Sequence, residues 1–256
     1  GVEPIGSKVF AAAAKLRVIS RNGTGVDAID LEAAKAKGIE IRRAEGANAR
    51  GVAELAFGHL LSAVRCISPS DAALKTGGWN RRKGRELEGK TLGLLGCGKV
   101  GKLVARFALA FDMKIIAYDV YPDSKFAPSD RFRFVPLGEV IAHADFISLH
   151  CPPSRDGRPI IGSEEIAAMK KGVVIVNTAR QSLVDERAML AALKSGQAAA
   201  YTIDAFDKEP PDDRTIIACP NVIATPHIGG FTDESVDRAT EVAVDNLLDS
   251  LLKALR

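Results

Sequence analysis

The sequence predicts an α/β protein: a doubly wound parallel sheet joined to a second, smaller and incomplete α/β domain. Three observations carry that expectation. Short apolar runs alternate with stretches of helical periodicity along nearly the whole chain. Several runs, above all Val173-Val174-Ile175-Val176-Asn177, are continuous and β-branched, as in a parallel strand covered on both faces. The run Thr91–Leu95 opens directly into Gly96-x-Gly98-x-x-Gly101, and a helical pattern follows at once. A strand, a glycine turn and a helix in that order are the start of a Rossmann unit.

The bulk numbers fit. The 256 residues suffice for one large or two modest domains, and 46% hydrophobic with 26% charged residues is an ordinary globular balance. A net charge of +3 gives no reason to expect nucleic acid or an anionic membrane surface. No apolar stretch reaches the roughly 18 residues of a membrane span. Cys66, Cys97, Cys151 and Cys219 lack metal-ligand or disulfide spacing, so no metal is expected and a reduced, cytoplasmic protein is the simplest reading.

Taken in order, Gly1 to Ile5 reads as the tail of a strand, and a preceding portion is expected to be missing. Ser7 caps a helix to about Lys15, and Leu16–Ser20 is a strand. A glycine-bearing loop, Arg21 to Asp27, precedes a helix capped by Asp30 and ended by Gly38, and Ile39–Ile41 is a further strand. A long helix from Arg50 to Ile67 is apolar on more than one stripe, which suits a core or a subunit interface. Helix continues over Ser70–Lys75 and closes at Gly77-Gly78-Trp79, before the basic run Arg81 to Arg85. After the glycine turn come a helix from Lys99 to about Phe111 and a strand, Lys114–Tyr118. Next are a strand Phe132–Val135, a helix Leu137–His143 and a strand Phe146–Leu149. A helix from Ser163 to about Lys171 leads to Val173–Asn177. Asp185 caps a helix to Ser195-Gly196, strands follow at Ala199–Asp204 and Asn221–Thr225, and an amphipathic helix runs from Asp233 to Leu255. The expected division is 1–46 for the partial smaller domain, 47–233 for the nucleotide-binding domain and 234–256 for a helix returning to the smaller one.

Each part of the glycine motif has a physical task. Gly96 allows the tight turn, Gly98 lets the backbone approach a pyrophosphate, and Gly101 lets the helix sit close on the sheet. The helix start at Lys99 and Val100 offers N–H groups and a partial positive charge to phosphates. Asp119, at the end of the next strand, is placed to accept hydrogen bonds from both ribose hydroxyls and to repel a 2′-phosphate, which favours NAD over NADP. Ligands bind such sheets at the carboxyl ends of the strands. There the sequence places His150-Cys151-Pro152, Thr178-Ala179-Arg180, Asp204 through Glu209, and Pro226-His227-Ile228-Gly229. A histidine suits removal of a hydroxyl proton as hydride departs, and an arginine suits a substrate carboxylate by paired hydrogen bonds. His59 and His143, inside helices, read as structural. Spacing leaves Asp207 and Glu209 as equal candidates for the partner of His227.

At these residues the chain resembles the D-isomer-specific 2-hydroxyacid dehydrogenases. The matching segments are Asn22 to Asp27, Val52 to Leu55, Gly96 to Gly101 with Asp119, Asn177 to Arg180, Leu183 to Glu186, Ile203 to Pro210, and Thr225 to Gly230. The resemblance implies Arg180 as the substrate-binding arginine, His227 as acid/base and Glu209 as its partner. It further implies Asp204 on the nicotinamide carboxamide, Gly229 beside the cofactor, and Gly23, Thr24 and Gly25 presenting backbone N–H groups to the substrate carboxylate. The Arg50–Ile67 helix looks like the family's dimerisation segment, so a homodimer is expected.

The nearest pattern within the family is phosphoglycerate dehydrogenase-like, with Arg81 a candidate ligand for a substrate phosphate. The candidate substrates are 3-phosphoglycerate and hydroxypyruvate or glyoxylate. The alternative is an NAD(H)-sensing corepressor-type protein in which turnover is incidental. Two residues depart from the family pattern: Ala205 replaces a valine, and Gln181 stands where glycine is usual. Glutamine is expected to be strained there if that turn needs a positive φ.

Overall fold

The computed structural model describes residues 3–154 and 156–253. The expected strand end at Gly1 and Val2, and the last turn of the final helix at Leu255, lie outside the described residues. The chain divides into two compact units, residues 1–51 with 230–256, and residues 52–229.

In the smaller unit, α1 (Ser7–Ala12), β1 (Val18–Arg21), α2 (Leu31–Ala36) and β2 (Glu40–Arg43) form a βα layer whose two strands pair in parallel. Asp30 caps α2 as its position predicts, its carboxylate accepting from Ala33 N at 2.9 Å. The α1 expectation needs correcting: Gly6, not Ser7, is the N-cap, and the helix stops at Ala12. Phe10, Ile29, Ala34 and Ile39 form the small core of this unit. Its last element, α9 (Asp233–Lys253), packs on β1 and β2, with Ser20 Oγ donating to Ala243 O at 2.6 Å.

The long helix divides in two, α3 (Ala49–Arg65) and α4 (Ile67–Lys75), separated by Cys66 at φ 55°. Pro69 explains the break. It has no N–H to give Arg65 O, and its ring clashes with that carbonyl in a continuous helix. Ala53, Ala56, Phe57, Leu60 and Val64 of α3 are buried.

The larger unit is a sheet of seven parallel strands. Its elements in chain order are β3 (Thr91–Leu95), α5 (Lys99–Ala110), β4 (Lys114–Tyr118), β5 (Phe132–Phe134), α6 (Leu137–His143) and β6 (Phe146–Leu149). They continue with α7 (Ser163–Ala168), β7 (Val173–Asn177), α8 (Glu186–Ser195), β8 (Ala198–Ile203) and β9 (Val222–Ala224). The strand order is β5-β4-β3-β6-β7-β8-β9. Alternate residues on each strand enter opposite cores. Leu92, Leu94, Phe146, Val174 and Val176 face one, and Leu95, Ile147, Leu149, Val173 and Ile175 face the other. That is why these strands read as unbroken apolar runs. Gly93 is needed for one of these faces, since a Cβ there would lie 2.6 Å from Val140 of α6 and 2.8 Å from Ala144, which ends that helix. The chain leaves β3 toward β5 and then returns to β6 on the other side of β3. The order therefore reverses between β3 and β6, where such sheets open a ligand crevice.

Candidate active site

The glycine turn leaves β3 at this reversal point. Gly96 has φ 94°, and a Cβ on it would lie 2.6 Å from Cys151 N, so the turn is pressed against the chain leaving β6. A Cβ on Gly101 would lie 2.3 Å from Gly96 O, and no atom stands within 4 Å of the position a Cβ would take on Gly98. Close packing at the first and third glycines with open space at the second is what a pyrophosphate on this turn requires. Asp119 braces the turn as well as facing it. Its Oδ2 accepts from Cys97 N at 2.7 Å and its Oδ1 from Tyr121 N at 2.9 Å, which leaves each oxygen a further lone pair. Thr178, after β7, has a buried hydroxyl without a protein partner among the described residues. These residues fit a dinucleotide.

His150 brings no charge to this crevice. Its Nε2 is 2.9 Å from Ser148 Oγ, and burial pushes the imidazole down to about 3. Burial likewise pushes the Cys97 thiol up to about 12 and the Cys151 thiol up to about 11, so neither is a ready nucleophile. Pro152 lies exposed beyond them.

At the other side of the crevice, β7, β8 and β9 deliver their following loops side by side. Arg180 follows β7. Asn177 Nδ2 donates to Arg180 O at 2.8 Å, and Arg180 Nη1 donates to Ala179 O at 2.6 Å. Between Asp207 and Glu209 the geometry decides: His227 Nδ1 lies 2.7 Å from Glu209 Oε1, which also accepts from Phe206 N at 3.0 Å. His227 sits at φ 54°, in the left-handed region that a non-glycine residue adopts only under constraint. Phe206, Glu209, Pro210, Pro211, Ala224, Thr225, Pro226 and His227 line a pocket of about 360 Å³ beside the pair.

Asp204 holds that loop. It is 1% exposed, and its carboxylate accepts from Thr225 Oγ1 at 2.6 Å, Ile228 N at 2.9 Å and Gly229 N at 2.9 Å. Its carbonyl accepts from His227 N at 2.8 Å. Oδ2, with one donor, keeps a lone pair for another. His59 belongs to the same network, which its place inside a helix did not reveal. It is 4% exposed, with Nε2 3.2 Å from Thr225 Oγ1. The Thr225 proton goes to Asp204, so Thr225 Oγ accepts, and His59 must be the Nε2–H tautomer. Burial holds His59 below its ordinary range, against the opposing pull of the Asp204 charge.

One expectation changes. Gln181 is not strained: it begins a single 3-10 turn, Gln181–Leu183, and is not among the positive-φ residues. Gly23, in the smaller unit, donates its N–H to Arg21 O at 3.0 Å. Thr24 Oγ1 is engaged with Ala44 O and Asn48 Oδ1, both at 3.2 Å. Arg81 is exposed, but Arg85 lies 5.0 Å over the Phe146 ring. Among the described residues no cluster of His, Cys, Asp and Glu could hold a metal ion.

The family profile of the D-isomer-specific 2-hydroxyacid dehydrogenase NAD-binding domain matches residues 57–229, the body of the larger unit. The chain belongs to the D-isomer-specific 2-hydroxyacid dehydrogenase family. Its dehydrogenase-family sheet is thus an NAD-binding domain. The chain is 45% identical over 242 residues to D-3-phosphoglycerate dehydrogenase of Methanocaldococcus jannaschii, covering 93% of this chain and 46% of that protein. It is 44% identical over 248 residues to hydroxypyruvate reductase of Thermotoga maritima, covering 95% and 80%. The chain thus spans about half the length of the phosphoglycerate dehydrogenases it matches. Among solved structures, D-lactate dehydrogenase from Aquifex aeolicus, complexed with NAD and lactic acid, superposes with a TM-score of 0.86 at 29% identity, covering 98% of this chain and 80% of that one.

Proposed function

We propose that this protein interconverts a D-2-hydroxy acid and its 2-oxo acid with NAD as hydride carrier. The observation that carries the reading is the His227–Glu209 pair, 2.7 Å apart, in the loops after β8 and β9 of an NAD-binding sheet. An ionised Glu209 can only accept, so His227 donates from Nδ1 and keeps a lone pair on Nε2. In oxidation Nε2 takes the substrate's hydroxyl proton, and Glu209 stabilises the imidazolium that forms. Arg180 binds the substrate carboxylate through its planar fork and orients the carbon that loses hydride. When bound, NAD supplies the hydride-accepting nicotinamide. Gly96, Gly98 and Gly101 with the start of α5 hold its phosphates, Asp119 its ribose and Asp204 its carboxamide.

Gly23, Thr24 and Gly25 remain assigned to substrate by the family resemblance alone, and Arg81 to a substrate phosphate by the sequence pattern alone. Relatives named for phosphoglycerate and hydroxypyruvate make a phosphorylated three-carbon acid and hydroxypyruvate the first substrates to try. We further propose a cytoplasmic homodimer. Four unpaired cysteines suit a reducing compartment, and exposed Ile67, Leu74 and Trp79 on and beside α4 extend the expected dimerisation segment. The test is NADH oxidation by the full-length protein against a panel of 2-oxo acids. Turnover is expected for at least one. Tight NADH binding with no turnover of any would favour the NAD(H)-sensing alternative.

A further inference from the structure

We propose that Gln181 is a positioning residue: with Asp207 it clamps the turn that carries Arg180 to the turn that carries Glu209. The inference rests on the hydroxy-acid reading above and concerns the one substitution in the arginine turn that this reading does not use. Gln181 Oε1 accepts from Asp207 N at 3.1 Å, and Gln181 Nε2 donates to Glu186 Oε2 at 2.5 Å. In return, Ser182 N donates to Asp207 Oδ1 at 3.4 Å. Two hydrogen bonds thus run in opposite directions between the same two turns, as in a capping box.

Both turns are also fixed at their far sides. Asn177 Nδ2 holds Arg180 O at 2.8 Å, and Glu209 folds back so that Oε1 takes Phe206 N–H and His227 Nδ1–H together. Arg180 is therefore tied to β7 and Glu209 to the loop that follows β8, and Gln181 is the cross-link between them. Asp207, the competitor of Glu209 for His227 in the sequence, acquires its own task in this arrangement.

The chemistry selects an amide. The side chain must accept from Asp207 N–H at one atom and donate to the Glu186 carboxylate at the other. A carboxylate at position 181 would meet Glu186 as a like charge, and a thioether would do neither task. Glycine, customary at this point in the family pattern, leaves both groups to solvent. The clamp thus depends on the glutamine at this position.

The experiment uses the full-length protein and four forms: wild type, Gln181→Met, Gln181→Glu, and Gln181→Glu with Glu186→Gln. The last restores both hydrogen bonds with donor and acceptor exchanged between positions 181 and 186. We read kcat and KM for the best 2-oxo acid, the Kd for NADH, and the downfield proton NMR signal of the His227 Nδ1–H held by Glu209. The expected result is a roughly tenfold fall in kcat for Gln181→Met and a larger one for Gln181→Glu, at unchanged Kd for NADH. The Nδ1–H signal should broaden by solvent exchange in both single variants, and signal and kcat should recover in the double variant. A side chain that only stabilises the fold would shift Tm without broadening that signal. Unchanged kcat and signal in Gln181→Met, or a double variant no better than Gln181→Glu, would overturn the proposal. If wild type turns over no 2-oxo acid, the hydroxy-acid reading fails on its own, and the NMR arm still decides whether the clamp exists.

Discussion

At residue scale, the site depends on carboxylates doing two things at once. Asp119, the proposed ribose ligand, braces the glycine turn through Cys97 N and its own loop through Tyr121 N, and Asp204 fastens the His227 loop through Thr225, Ile228 and Gly229. Replacing Asp119 by Ala should weaken NAD binding roughly 10- to 100-fold, the scale of a lost charge-assisted hydrogen bond, and narrow the preference over NADP. Titration of both nucleotides checks this, and an unchanged ratio would assign ribose recognition to another residue. The residues following each strand were legible because parallel sheets put chemistry there. The choice of Glu209 over Asp207 came from the family resemblance and not from spacing, because two residues of spacing in a loop do not specify direction. Nor did His59 announce itself. Its role follows from the packing of α3 against the loop after β9, a long-range contact that helical periodicity does not encode.

At the scale of elements, the reversal of strand order between β3 and β6 makes the crevice, and the third glycine makes it tight. Gly101→Ala should cost about 1–3 kcal/mol, because a Cβ 2.3 Å from Gly96 O forces the turn and α5 apart. NADH affinity should fall with it. Thermal unfolding and NADH titration measure the two effects, and a variant with both unchanged would show that α5 packs loosely on the turn. The structure matches the predicted bounds of β3, β4, α6, β6, β7 and α8, where apolar runs are unbroken or caps such as Asp185 are present. It differs where a local signal was outvoted. The periodic pattern of α3 runs on through Cys66, yet Pro69 divides it. Helix α7 stops at Ala168, short of Lys171, and Gln197 Nε2 donates to the carbonyls of Ile166 and Met169 at that end.

At the scale of the molecule, two histidines with lowered proton affinity tie stability to pH. Burial lowers both His59 and His150 from the ordinary 6.5, His150 to about 3. Below about pH 6.5 the unfolded chain therefore binds protons that the folded chain refuses, so stability falls as pH falls, by up to about 1.4 kcal/mol per pH unit for each histidine. Tm should drop between pH 7 and pH 5, and His59→Leu combined with His150→Asn should flatten that drop. A wild-type Tm constant over this range would show that neither ring is held neutral. Hydride transfer governed by His227 is put to the test by steady-state NADH oxidation with the 2-oxo acid panel, wild type beside His227→Gln. Wild type should turn over, the variant should lose about 100- to 10,000-fold, and NADH affinity should be nearly equal in both. A variant as fast as wild type would contradict that role of His227.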